Sequence, residues 1–225
     1  MIIGITGGIG SGKSVIARQL RQMGYAVYDT DSEAKRLIVE DAHIREQITA
    51  LFGPEAYKDG VYQTAFVAQQ VFNANSQLPI ANSPSPNPLL ARLNAIVHPA
   101  IRADILHWAQ TYTRPKDANP REATQPAHSA HNLPKATTPC FVECAILYQA
   151  GIDQLCDKVV AVTAPEDIRL KRVIARDHSD IDKVRARMRA QEADKDLQRA
   201  DIVVNNDGKT PIPTLCNDII HLLTK

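Results

Sequence analysis

The stretch Gly7-Gly8-Ile9-Gly10-Ser11-Gly12-Lys13-Ser14 fits the pattern G-x-x-x-x-G-K-[ST]. Ahead of it runs Ile2-Ile3-Gly4-Ile5, a short apolar strand. Behind it, Val15 to Met23 read as a helix that stops at Gly24. Strand, glycine loop and helix in that order make a phosphate-binding loop. Glycines let the backbone curl until successive N–H groups face one concavity. The helix N-terminus adds unpaired donors and the positive end of its dipole. Gly8, Ile9, Gly10, Ser11, Gly12, Lys13, Ser14 and Val15 are therefore expected to cradle a nucleotide. Lys13 is placed to reach the β- and γ-phosphates, and the Ser14 hydroxyl to ligate Mg²⁺.

Bulk properties narrow the field. With 225 residues the chain is long enough for one α/β domain carrying a lid or a small insert. A net charge of +1 supplies no general attraction for nucleic acid or an anionic membrane. Aromatics at 5% argue against a base-stacking single-strand binder. No apolar run approaches membrane-spanning length, and the chain enters a strand at once, so a cytoplasmic protein is expected. Cys140, Cys144, Cys156 and Cys216 match no common zinc spacing and read as reduced thiols. No membrane or nucleic-acid partner is expected, and the chain is taken as a monomer or weak homo-oligomer.

Periodicity places the remaining elements. Tyr25 to Tyr28 read as a second strand ending at Asp29-Thr30-Asp31, with a helix from Ser32. Residues 44–52 and 64–73 carry helical patterns, and 73–88 are a loop by composition. Residues 89–97 resume a helix that His98-Pro99 should break, with another helix over about 100–111. Residues 113–139, rich in Pro, Ala, Thr, Asn and His, read as a mobile surface insertion. A strand is expected from Phe141 through Leu147, then Lys158 to Val162, then Ile202 to Val204. The helices from 166 to 198 are dense in Arg and Lys, and the last helix follows Pro211. Strands alternating with helices imply a parallel sheet with helices on both faces.

Other features choose among phosphate-loop proteins. The guanine signature N-K-x-D of GTPases is missing. Motor and transporter ATPases carry an apolar strand ending in an acid and a larger apparatus than this chain allows. A small-molecule kinase needs an acceptor base near the γ-phosphate and arginines to cover the phosphates. Asp29-x-Asp31, at the end of the second strand, suits the first need, although Asp31 or Ser32 would equally cap a helix. Arg169, Arg172 and Arg176 suit the second, since Arg172 and Arg176 share one helix face.

Taken together, these motifs resemble the dephospho-coenzyme A kinase family. The residues that carry the resemblance are Ile5 to Ser14, Asp29-Thr30-Asp31, and Leu93-Asn94-Ala95-Ile96-Val97-His98-Pro99. To these add Leu170-Lys171-Arg172, Arg176-Asp177, Gln191 and the run Ala200 to Gly208. The resemblance implies that ATP phosphorylates the ribose 3′-hydroxyl of dephospho-coenzyme A. It implies a nucleotide-binding core over 1–31, 140–165 and 200–225, a helical substrate domain over 32–112, the insertion at 113–139, and a lid over 166–199. Carried over by position, Asp31 is the base, Lys13 and Ser14 serve phosphate and Mg²⁺, and Arg172 and Arg176 are lid arginines. Asn206 lies along the adenine, and Lys35, Asn94 and His98 fall on the substrate side. His98 reads equally well as a packed helix-end residue.

Departures from the family pattern are specific. Val15 stands where Thr is usual, Thr30 precedes Asp31 in place of Ala, and Lys35 replaces an Arg. Gln149 occupies the place of an acid in P-L-L-x-E, and Glu143 lies too early to replace it. Two alternatives stay open at this point. One is a kinase for another small hydroxyl substrate, and the other a nucleotide-binding protein without catalysis.

Overall fold

The computed structural model describes residues 1–73, 87–113, 138–177, 180–190 and 197–223. Most of the 73–88 loop and of the 113–139 insertion lies outside them, as does Gln191. The chain divides into two compact units, Met1–Asp29 with Ile105–Lys225, and Thr30–Asp104.

The first unit holds β1 (Ile2–Thr6), α1 (Lys13–Gln22), β2 (Val27–Asp29), β5 (Cys140–Glu143), β6 (Lys158–Thr163), α6 (Glu166–Asp177), α7 (Ile181–Ala190), β7 (Ile202–Asn205) and α8 (Ile212–Leu223). Its five strands form a parallel sheet in the order β2-β5-β1-β6-β7. After β1 the chain returns to β2 at one edge, and the later strands fill the place beside β1 and extend the other side. Ligands of open α/β sheets bind beyond the carboxyl ends of strands at such a reversal, which is where the glycine loop leaves β1.

Side-chain alternation builds both faces of this sheet. Ile3 and Ile5 share one face with Phe141, Val160, Val162 and Val204. There they pack with Ile16 and Leu20 of α1 and with Leu215, Ile219 and Leu223 of α8. On the opposite face, Gly4 is in register with Val142 and Val159, and Tyr28 with Val142. Trp108 covers Tyr28 edge-on, with ring centroids 5.2 Å apart. A Cβ on Gly4 would meet Leu147 Cδ1 at 2.7 Å and Cys156 Sγ at 3.0 Å, so this glycine is a packing requirement. All four cysteines are free thiols. Burial and then nearby Asp153 push Cys156 up to about 12, and burial alone pushes Cys216 up to about 11.

The second unit contains α2 (Thr30–Glu40), α3 (Ala42–Phe52), the short strands β3 (Tyr57–Lys58) and β4 (Val61–Tyr62), α4 (Thr64–Asn73) and the start of α5 (Pro88–Thr113). Asp41 caps α3 by accepting N–H bonds from His43 and Ile44 at 2.9 and 3.0 Å. Asp59 (φ 51°) and Gly60 (φ 78°) join β3 to β4, the conformations a two-residue hairpin demands. Tyr57 O–H donates to Ile38 O at 2.8 Å and ties the hairpin to α2. Arg36 links Glu33, Glu40 and Asp104.

Several starts move by about two residues, with α1, β2 and α2 beginning at Lys13, Val27 and Thr30, and two boundaries differ by more. Helix α5 runs unbroken through Pro99, with no stop at His98-Pro99. Pro99 removes one N–H and crowds the carbonyl of Ala95, and both residues are exposed, so water can serve that carbonyl. The stripe Val97, Ile101, Ile105 and Ala109 is buried and holds the helix together across the proline. Strand β5 stops at Glu143, and Ala145 to Ala150 turn away from the sheet. Leu147 is buried in that turn, which explains why an apolar run there imitated a longer strand.

We expect Gly4→Val to lower stability by about 1–3 kcal/mol through overpacking against Leu147 and Cys156. Urea unfolding of the two proteins checks this.

Candidate active site

Backbone conformation shapes the phosphate loop first. Gly10 (φ 78°) and Gly12 (φ 95°) lie in the left-handed region, where other residues are strained. The Gly12 carbonyl accepts from the N–H groups of Val15 and Ile16 at 3.0 and 3.1 Å, which starts α1. Ser11 N–H closes the turn onto Gly8 O at 3.1 Å. Lys13 and Ser14 thus stand at the positive end of the α1 dipole.

Ser14 O–H donates to Glu143 Oε1 at 2.8 Å. Glu143 is the last residue of β5 and only 8% exposed. Period-two alternation sets it on the α1 face with Phe141, and Asp29 is its register partner on β2. Sequence reasoning gave Glu143 no role because it looked for an acid at Gln149, which is exposed in the turn after β5. The signal was present in Cys140-Phe141-Val142-Glu143, an apolar strand ending in an acid. The same pattern is found in motor and transporter ATPases, so it does not by itself single out a small-molecule kinase.

A cavity of about 350 Å³ opens beside the loop. Its charged lining residues are Lys13, Arg18, Arg172 and Arg176, all cationic, with Ser14 and Val15 at the loop end. Arg18 was not anticipated. It lies four residues after Ser14, on the same face of α1, and that spacing was the available signal. Neither the Lys13 nor the Arg18 side chain forms a hydrogen bond or ion pair with another described residue.

Helix α6 reaches the loop through polar contacts. Arg172 Nη1 donates to Gly10 O at 3.4 Å and Ser11 O at 3.3 Å, while Nη2 donates to Asn206 Oδ1 at 3.3 Å. Asn206, 2% exposed, donates from Nδ2 to Ser11 O at 2.8 Å. Both ends of its amide are therefore used beneath the loop. Arg176 lines the cavity and pairs with Asp177 at 2.6 and 3.0 Å. Arg187 adds a third bond to Asp177 at 3.3 Å. Hydrogen bonding from Arg176 foremost, with Arg187, holds the Asp177 carboxyl down at about 2. Ile9 and Val15 complete the predicted loop set. Ile9 packs against Val173, Val184 and Met188, and Val15 is exposed at the cavity.

The structure thus brings together Gly8 to Val15, Arg172, Arg176 and Asn206. The other predicted residues belong to the second unit. Asp31 is exposed in the first turn of α2, and Lys35 is exposed one turn further on. Asn94 and His98 are partly buried and one turn apart on α5. His98 is a mid-helix residue, since α5 continues past it, and this corrects its reading as a helix-end histidine. Burial, aided by the charge of Arg102, lowers its pKa.

A family model described as dephospho-CoA kinase matches residues 1–117 and 123–211. The chain belongs to the dephospho-CoA kinase family. A dephospho-CoA kinase of Porphyromonas gingivalis is 35% identical over 198 residues, covering 88% of this chain and 81% of that protein. One from Salinibacter ruber is 35% identical over 208 residues, covering 92% and 88%. A solved dephospho-CoA kinase from Campylobacter jejuni superposes with a TM-score of 0.62 at 21% identity, covering 99% and 96%, and so shares the fold. For a dephospho-CoA kinase, the departures at Lys35 and Gln149 fall on exposed side chains. Val15 retains the backbone N–H bond to Gly12 O despite lacking a hydroxyl.

The lowered pKa of His98 has a consequence for stability. The unfolded chain takes up a proton there near 6.5, while the folded chain resists it. Stability contributed by neutral His98 is therefore present above that value and lost as pH falls through it. Thermal melts from about pH 7.5 to about pH 5 should show this loss, and His98→Asn should make it smaller.

Proposed function

We propose that this chain transfers the γ-phosphoryl group of ATP to the ribose 3′-hydroxyl of dephospho-coenzyme A, giving coenzyme A and ADP, the last step of coenzyme A biosynthesis. The observation that carries this reading is the cavity on the phosphate loop, whose charged lining residues Lys13, Arg18, Arg172 and Arg176 are all cationic, with Ser14 in its lining bonded to the buried Glu143. Family membership supplies the acceptor.

Each residue has a physical task in this reading. The loop N–H groups and Lys13 bind the β- and γ-phosphates, and Arg172 and Arg176 spread positive charge over the oxygens of the transferring group. Arg18, one turn along α1, adds charge toward the nucleoside end. Asp31 accepts the proton from the attacking hydroxyl, and its place two residues beyond β2 supports that role. Asn206 serves the nucleotide side, while Lys35, Asn94 and His98 serve the acceptor.

Mg²⁺ suits the oxygen donors present. Glu143 is a buried carboxylate already oriented on the Ser14 hydroxyl, and hard oxygen ligands of this kind are what the ion prefers. Ser14 would hold it directly, with Glu143 and Asp29 beside it. When bound, the ion neutralises charge on the β- and γ-phosphates. A cytoplasmic location fits four free thiols and the absence, among the described residues, of any helix long and apolar enough to cross a membrane.

The direct test is ADP release from Mg-ATP with and without dephospho-coenzyme A, with the product identified by mass. Release that depends on the acceptor, with one phosphate gained, is the expected result. ATP consumption indifferent to the acceptor would contradict the assignment. Asp31→Asn should retain ATP binding and lose turnover by about 10²–10⁴-fold. Glu143→Gln should raise the Mg²⁺ concentration needed for half-maximal rate by about 10–100-fold while leaving ATP saturable.

A further inference from the structure

Arg169, Arg172 and Arg176 lie along one face of α6, yet the structure gives Arg169 a different task. Arg172 and Arg176 line the cavity, and Arg169 is outside its lining. Its Nε–H donates to Ile9 O at 2.9 Å. Its guanidinium lies against the Cα of Gly8, where an added Cβ would come within 2.5 Å of Nη2 and 2.8 Å of Cζ.

Gly8 differs from the other loop glycines in why it must be glycine. Gly10 and Gly12 have φ of 78° and 95°, so their backbone conformation alone disfavours a side chain. Gly8 is not among the positive-φ glycines. What a Cβ would meet there is the flat guanidinium of Arg169, which would have to leave its place against Gly8 and strain its bond to Ile9 O to make room. The same residue meets Gly10 through its backbone, with its carbonyl oxygen 2.5 Å from the position of a Cβ. Between the two glycines, the Ile9 side chain packs into the apolar seam of Val173, Val184 and Met188. Residues 8 to 10 are thus held by the Arg169 hydrogen bond and close backbone approach from α6 and by an apolar anchor shared between α6 and α7.

We propose that Arg169 is a positioning residue that holds the phosphate loop in its nucleotide-ready shape from the side opposite the phosphates, and that it sets the requirement for glycine at position 8. This rests on the reading of the loop as the ATP site. It separates Arg169 from Arg172 and Arg176, which act on the phosphates themselves. A bond to a loop carbonyl stabilises the loop equally before and during transfer, so its loss weakens ATP binding without slowing chemistry. Lysine can still donate to Ile9 O but lacks the plane that lies on Gly8.

A double-mutant cycle on ATP affinity and steady-state kinetics tests the idea. Arg169→Ala should raise the Kd and KM for ATP about tenfold, leave kcat within a few-fold, and leave the KM for dephospho-coenzyme A unchanged. Arg169→Lys should fall between. Gly8→Ala should lose ATP affinity in the presence of Arg169 and regain about tenfold when combined with Arg169→Ala, because the Cβ then has room. Gly10→Ala should not be rescued by Arg169→Ala, since both its φ and the Arg169 carbonyl persist. Additive losses in the Gly8 cycle would overturn the proposal. So would a fall in kcat of more than about 100-fold in Arg169→Ala with KM unchanged, which marks contact with the transferring phosphoryl group. If Gly8→Ala does not fold, as judged by its melting curve, the KM-against-kcat split in the Arg169 variants decides alone. Failure of the wild-type chain to bind ATP or phosphorylate the acceptor would remove the functional reading, and is distinguishable from either result.

Discussion

A loop that turns its N–H groups toward a phosphate turns its carbonyls the other way, and those carbonyls need donors of their own. Here every one from Gly8 to Gly12 has one. Gly8 O accepts from Ser11 N–H, and Gly12 O from Val15 and Ile16 N–H. Ile9 O accepts from Arg169, Gly10 O from Arg172, and Ser11 O from Arg172 and Asn206. The bonds at the two ends, to Gly8 O and Gly12 O, are local and come with the turn. The middle three come from α6 and the segment after β7, far away in sequence. The geometry of the phosphate site therefore depends on the whole first unit being folded.

The same logic joins the sheet to the site. The register of β5 against β1 and β2 sets Glu143 and Asp29 side by side at the carboxyl edge. A one-residue slip of β5 would turn Glu143 to the opposite face and place an apolar residue against Ser14. The core packing that fixes this register, Phe141 and Ile5 against α1, is thus also what aims the carboxylate. Stability and chemistry share those residues, so substitutions in this part of the core should affect both.

Legibility from sequence followed the range of the forces involved. The phosphate loop was readable because a motif, its strand and its helix lie within a short stretch and answer to local sterics. Arg172 and Arg176 were readable as a pair because helical spacing put them on one face. Pro99 was misread because its local rule is real, but the buried stripe of α5 outweighs one lost hydrogen bond at an exposed turn. Glu143 is not legible from motif spacing, because what places it is the end of the strand beside β1 and not a set distance along the chain. Arg18 was missed because a lone arginine on a helix means nothing until a cavity opens beside it.

The α/β class, the phosphate loop, the order of most strands and helices, and the family all follow from the order of amino acids. Those properties rest on backbone conformation, hydrophobic period and motif spacing, all of which are local. Three pairings emerge only in the folded chain: Ser14 bonds Glu143, Asn206 fills its amide beneath Ser11 and Arg172, and Arg169 braces Ile9 against α6. The bonds from Ser14 to Glu143, Asn206 to Ser11 and Arg169 to Ile9 span 129, 195 and 160 positions, and even the Arg172–Asn206 bond spans 34. No local rule can state such a pairing, because it exists only once the sheet has set the register and the helices have packed.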